Sequence, residues 1–301
     1  MSVTPQADGT DHVPAADDTD RGPAAAGTDH AEATPDGGRR TVLAKVVGNP
    51  FIGFAPWIVL AVLEGPGRLA MASAVALVLS IAFLVADKVL KRSTKILAVV
   101  DVVAFAAFLV MALLASPATL RWMEVWFGEL ANLALVLVVA GSMAFRVPFT
   151  IQYAREEVDP AYWTSPVFIR INYLITGVWG LAFLVSSIAG FYGDAVLRDP
   201  DNLWTGWIIQ VFASLVALQF TLWYPDYASA RAHNDGDPGA PPEPVPPVAS
   251  FLAKVLGYLV PTGVIALIFA AGPVWLGIGL IVVGAVGAST LRRSSAAEPA
   301  H

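Results

Sequence analysis

Cysteine is absent from the 301 residues. That excludes disulfides, thiolate nucleophiles, iron–sulfur clusters and Cys-ligated zinc. Charge is scarce too: 14% of residues are charged, against about 25% in a soluble domain. Histidine is limited to His12, His30, His233 and His301, and none lies in an apolar run. No HExxH helix, nucleophile elbow or Walker-type loop is written into the chain. Catalysis is therefore not expected, and neither a cofactor nor a metal site is expected. The formal charge of −6 is no guide to nucleic acid, because eight of the acids crowd into the first 36 residues. No nucleic-acid partner is expected.

What the chain has is apolar length. It is 56% hydrophobic, the profile of an all-α polytopic membrane protein. A spanning helix needs about 20 mostly apolar residues. Eight runs qualify: 46–63, 69–86, 96–117, 123–145, 168–190, 203–224, 251–271 and 273–291. They are too long and unbroken for the short alternating strands of a barrel. Helices also satisfy their own backbone groups in lipid.

Residues 1–45 read as a disordered, acidic tail rich in Ala, Pro and Gly. Without aromatics or an apolar period, such a segment cannot offset its ordering entropy. No signal peptide is expected. "RRTVLAK" (Arg39–Lys45) reads as a basic flank rather than a twin-arginine export signal. The run behind it ends in "LEGPGR" without a small-residue cleavage pattern, and seven more runs follow.

The parts expected are a six-helix core over 46–226, a Pro-rich extended linker over 227–249, a two-helix hairpin over 250–291 and a short tail over 292–301. "SFLAKVLGYLV" (Ser250–Val260) has a second reading as an interfacial segment anchored by Lys254 and Tyr258.

Lys and Arg set the orientation. With the N-terminus inside, one side carries Arg39, Arg40, Lys45, Lys88, Lys91, Arg92, Lys95, Arg146, Arg155, Arg170, Arg231, Lys254, Arg292 and Arg293. The other carries Arg68, Arg121 and Arg198. That 14-to-3 split favours eight spans with both termini cytoplasmic. The bilayer is then the first partner, with membrane-protein partners or a homo-oligomer as the further expectation.

The densest chemistry lies in "RVPFTIQYAREEVDPAYW" (Arg146–Trp163), between the fourth and fifth runs. Pro148 suits the first turn of a short surface helix, and "DP" at 159–160 would stop it. One reading is a cytoplasmic interface elbow, with Phe149, Tyr153, Tyr162 and Trp163 as headgroup anchors and Arg155, Glu156, Glu157 and Asp159 facing water. The other is the mouth of a binding site.

Inside the runs, Asp101 is the outstanding residue. A carboxylate in hydrocarbon is costly and draws a functional hypothesis. It lies six residues past Lys95, about 9 Å deep at 1.5 Å per residue. Arg146 and Arg170 enter from the same side, so an Asp101–Arg146 or Asp101–Arg170 ion pair is expected, with proton or ion relay as the rival reading. Glu129 and Asn132 read as boundary residues, and Asn172, Gln210 and Gln219 as interhelical hydrogen-bond partners.

The segments "PFTIQYARE" and "PVFIRINYLITGVWGLAF" resemble uncharacterised bacterial polytopic membrane proteins. The wider layout, with the basic loop "DKVLKRSTK", the "TGVWGLAFL" span and the Trp-containing "WTGWIIQVF", more remotely resembles the intracellular septation protein A family. The likeness covers roughly residues 50–225 and leaves out the tail, the linker and the final hairpin. It implies an inner-membrane protein tied to the cell envelope and septation, without catalytic residues. Three functions follow as expectations: a non-enzymatic envelope or septation scaffold, a small-solute transporter or channel with its polar site at Asp101, and a headgroup-modifying enzyme using Glu156, Glu157 or Asp159.

Overall fold

Each apolar run ends where local chemistry forces a turn, and those turns set the architecture. The structure, a computed structural model, describes residues 52–91, 93–236 and 241–297. The expected tail over 1–45, the start of the first run, Arg39, Arg40, Lys45, Arg92 and the last four residues lie outside the described residues.

Among the described residues the fold is helical. A 3-10 turn (Ile52–Phe54) leads into α1 (Ala55–Leu63). Then come α2 (Leu69–Val89), α3 (Ile96–Leu114), α4 (Pro117–Ala144) and the short α5 (Ile151–Glu157). Helix α6 (Pro166–Phe191) continues as a π-helical turn through Leu197, and α7 opens with a π-helical turn from Trp204 before running over Ile209–Gly236. Helices α8 (Val248–Gly257), α9 (Leu259–Ile268) and α10 (Val274–Ala297) complete the chain.

Ser116 and Ser165 cap α4 and α6, each accepting from a backbone N–H three residues on at 3.2 Å, with proline at the first helical position. The α1–α2 turn depends on Gly65 (φ 152°) and Gly67 (φ 74°), conformations that favour glycine.

Seven membrane-length segments are present among the described residues: α2, α3, α4, α6, α7, α8 with α9, and α10. Their outward faces are apolar; Val78, Leu114, Leu137 and Trp275 are each more than 60% exposed. A soluble monomer rarely shows that much apolar surface, and it suits an integral membrane protein. The described part of the first run is the 3-10 turn and α1, so the expected eighth span rests partly on residues outside the description.

Two boundaries differ from the sequence reading. The linker was expected to start at 227, but α7 continues to Gly236 with Pro225 inside it. "YASARAHNDG" contains no proline, and Arg231 donates to the Tyr227 hydroxyl one turn back at 2.8 Å. The non-helical stretch is limited to 241–247 on the described side. Asn234 and Glu243 clasp it by a reciprocal pair of bonds at 3.0 and 2.8 Å. The seventh run is also not one smooth helix. It breaks at Tyr258, between Gly257 and Pro261, where Tyr258 N–H is shared between the carbonyls of Lys254 and Val255.

The core is aromatic. Phe54 stacks on Trp179 with centroids 4.8 Å apart and meets Phe149 edge-on at 6.2 Å. Trp57, Phe105, Phe108 and Phe127 form a second chain of rings from α1 through α3 to α4. The C-terminal hairpin docks on α7: Tyr258 donates to Gln219 Oε1 at 3.2 Å, and Trp204 Nε1 donates to the Ala271 carbonyl at 2.7 Å.

Glu64 ends α1, its N–H bonded to the Leu60 carbonyl at 2.8 Å. Burial, with the negative charge of Glu129 beyond it, pushes its carboxyl from 4.5 up to about 7. A carboxyl raised on folding contributes stability below its unfolded pKa and loses it as pH rises through the folded value. Glu64→Gln should therefore melt close to wild type at pH 4.5 and above it at pH 8 in detergent. Parallel melting curves across that window would remove the assignment.

Candidate functional site

The strongest cluster of buried polar groups lies where α5 tucks under the α2–α3 loop. Asp87, Lys95 and Asp101 are each only 3% exposed. Lys95 immediately precedes α3, with extended backbone. Its ammonium lies 3.6 Å from Asp87 Oδ1 and 3.5 Å from Glu156 Oε2, and 4.9 Å above the Tyr153 ring. A buried ammonium is tolerable only with such acceptors. The face of an aromatic ring adds a further attraction.

Helix α5 is held on both flanks. Its Gln152 accepts from Ile96 N–H at 2.8 Å, which satisfies one free donor at the start of α3. Ser93 donates to Glu156 Oε1 at 3.3 Å. On the other flank, Thr150 donates to the Asn172 carbonyl at 3.0 Å and lies 2.8 Å from the Thr176 hydroxyl. The elbow thus joins α3 to α6.

Asp101 faces α1. Trp57 Nε1 donates to Asp101 Oδ1 at 2.7 Å, and the Trp57 ring packs on Phe105 at 4.7 Å. Gly53, Ser80, Asp87, Lys95, Asp101 and Tyr153 enclose a cavity of about 20 Å³, room for about one water. A side chain at Gly53 would press on the Tyr153 hydroxyl, at 2.8 Å from the added carbon. Burial pushes the Tyr153 hydroxyl well above the ordinary phenol range, and the charges of Asp101, Asp87 and Glu156 push the same way. The hydroxyl therefore stays protonated.

This arrangement corrects the expected pairing. Asp101 makes no ion pair with Arg146 or Arg170. Arg146 adopts a left-handed conformation (φ 58°) that closes α4, and both arginines are exposed. The aspartate is reached by the indole of the first helix before either guanidinium.

The elbow reading is corrected in part. Phe149 and Tyr153 are buried in the core instead of lying at headgroup level, and Glu156 turns inward to Lys95. Tyr162, Arg155, Glu157 and Asp159 are exposed. Trp163 is half-buried, donates to the Val158 carbonyl at 2.9 Å, and carries the Arg155 guanidinium 5.2 Å from its ring.

The structure therefore brings Asp101, Tyr153 and Glu156 together and leaves Arg146, Arg170, Arg155, Glu157 and Trp163 outside. Sequence reasoning missed Lys95, Asp87 and Trp57. The readable signal was Asp87, an acid at the end of an apolar run inside an otherwise basic loop. Of the expected interhelical partners, Gln210 accepts from Asn132 at 3.1 Å and Gln219 meets Tyr258. The Asn172 side chain instead bonds back to its own helix at Phe168.

Compared with known proteins, the chain matches no family model, no curated protein and no solved structure.

Removing one partner of a buried hydrogen bond strands the other, at a cost of about 1–3 kcal/mol. Trp57→Phe should destabilise the detergent-solubilised protein by that amount. Trp57→Phe with Asp101→Leu should recover part of the loss, because the two residues are coupled. Arg146→Ala should instead add to Asp101→Ala without coupling. A coupled Asp101–Arg146 cycle in thermal unfolding would restore the ion pair.

Proposed function

We propose that this chain is a non-enzymatic scaffold of the bacterial inner membrane, with both termini cytoplasmic and a role in the envelope or in septation. The observation that carries the reading is the closure of Asp101. Asp101, the carboxylate expected to serve a solute path, is bonded to Trp57 and lines a cavity with room for about one water. A transporter site of solute size would need a cavity of several hundred Å³.

Two further features support a scaffold. The outer surface of the elbow carries Arg155, Glu157, Asp159 and Tyr162, a polar and aromatic face available to a partner at the membrane surface. The 14-to-3 excess of Lys and Arg supports a cytoplasmic position for that face. The resemblance to the intracellular septation protein A family supports the same compartment and role. A headgroup-modifying enzyme gains no support from Glu156, which is committed to Lys95 and Ser93.

The orientation is tested by reporter fusions after Ser93, Asp201 and Ser295. They should read inside, outside and inside, and a periplasmic signal at Ser93 would overturn it. The role is tested by photo-crosslinkers at Tyr162 and Glu157 in native membranes, run beside solute uptake into vesicles containing the purified chain. Discrete cross-linked membrane or division proteins with background uptake support the scaffold. Uptake abolished by Asp101→Asn, without cross-linked partners, would replace it with transport.

A further inference from the structure

At the end opposite α5, helices α4 and α6 leave a groove of about 500 Å³ between them. Trp122, Trp126, Glu129 and Leu133 line it from α4, and Ile188 and Phe191 from α6. The four α4 residues recur at intervals of three or four and so share one helix face. Trp122 and Trp126 lie 6.5 Å apart, and Trp126 lies 5.7 Å from Phe191. The groove opens onto the apolar outer surface, where Leu137, Leu184 and Ile188 are exposed.

One acid, Glu129, lines this apolar groove. The Glu129 carboxyl packs directly on Gly190, where any β-carbon would overlap Glu129 Oε1. Asp194 lies one turn beyond Gly190 along the same helical run, and the Glu129 carboxyl feels its charge. Glu64 adds a third carboxyl close enough to feel the Glu129 charge, and its Oε2 is buried without a hydrogen-bond partner. None of the three pairs with a described Lys or Arg. The basic residues of this end, Arg68, Arg121 and Arg198, are exposed.

Two carboxyls near enough to feel each other's charge disfavour double ionisation; a shared proton or a cation relieves it. A primary ammonium offers three donors to such a pair. The indole faces of Trp122 and Trp126 favour a cation as well. Below the carboxyls the wall is hydrocarbon, at Leu133 and Ile188. The exposed arginines disfavour a purely cationic visitor and suit a head that also carries a phosphate. The complementary molecule is therefore an amphiphile with an ammonium head, a phosphate and an acyl chain, delivered sideways from the bilayer.

We propose that this groove binds an aminophospholipid of the phosphatidylethanolamine type, its ammonium between Glu129 and Asp194 and one acyl chain along Leu133 and Ile188. The site lies at the far end from the Asp101 cluster and does not depend on the scaffold reading.

The test is native mass spectrometry of the full chain in detergent with equimolar phosphatidylethanolamine, phosphatidylglycerol and phosphatidylcholine. Wild type should retain phosphatidylethanolamine about five- to tenfold over phosphatidylcholine, whose methylated head donates no hydrogen bond. Glu129→Gln with Asp194→Asn should abolish that preference while leaving phosphatidylglycerol retention unchanged. Leu133→Trp, which keeps both carboxyls and fills the chain channel, should lose the lipid as well and guards against misfolding of the double variant. Equal retention of the three lipids by wild type, or an unchanged preference in both variants, overturns the proposal.

Discussion

The α5 end of the molecule depends on the burial of one ammonium. Lys95 is 3% exposed, and a lone charge in such a place is prohibitively costly. It is tolerated because α2 contributes Asp87 and α5 contributes Glu156, with the Tyr153 ring across it. Those contacts fix where α5 must lie. Once α5 is there, Gln152 caps α3, Thr150 reaches α6, and Tyr153 closes the space beside Asp101. The elbow is only seven residues long, and an isolated helix of that length is not stable in water, so it depends on these contacts together with the Gln152 and Thr150 bonds and the burial of Phe149 and Ile151.

Apolar run length carried most of the architecture in the sequence, because hydrocarbon demands long uninterrupted helices whatever their packing. The helical class and most span positions were legible for that reason. The end of α7 was not. Its last turns are polar and look like linker, yet Asn234 clasps Glu243 and the helix continues. The break at Tyr258 was half legible, from Gly257 and Pro261.

At the site, Asp101 stood out because a carboxylate in an apolar run is rare. Its partner did not, because Trp57 looks like any other membrane aromatic until α1 is placed beside α3. Lys95 was hidden for the opposite reason: counted among loop cations that set orientation, it gave no hint of burial. Charge counting reports which side of a membrane a residue occupies. Whether that residue is wet depends on contacts far apart in sequence, such as the 61 positions between Lys95 and Glu156.

The two ends of the bundle solve their electrostatics differently. At the α5 end the acids Asp87 and Glu156 converge on a buried lysine. At the other end Glu64, Glu129 and Asp194 approach one another without a described basic partner, while Arg68, Arg121 and Arg198 remain on the surface. A closed pair needs nothing further from its surroundings. A carboxyl such as Glu129, set into an apolar, aromatic wall near other acids, needs either a proton or a cation, and a bilayer supplies cations attached to chains. The same scarcity of charge that marks the chain as a membrane protein thus makes each uncompensated group informative. Where a protein of this kind keeps acids together near lipid, the missing positive charge is reasonably sought in the lipid itself.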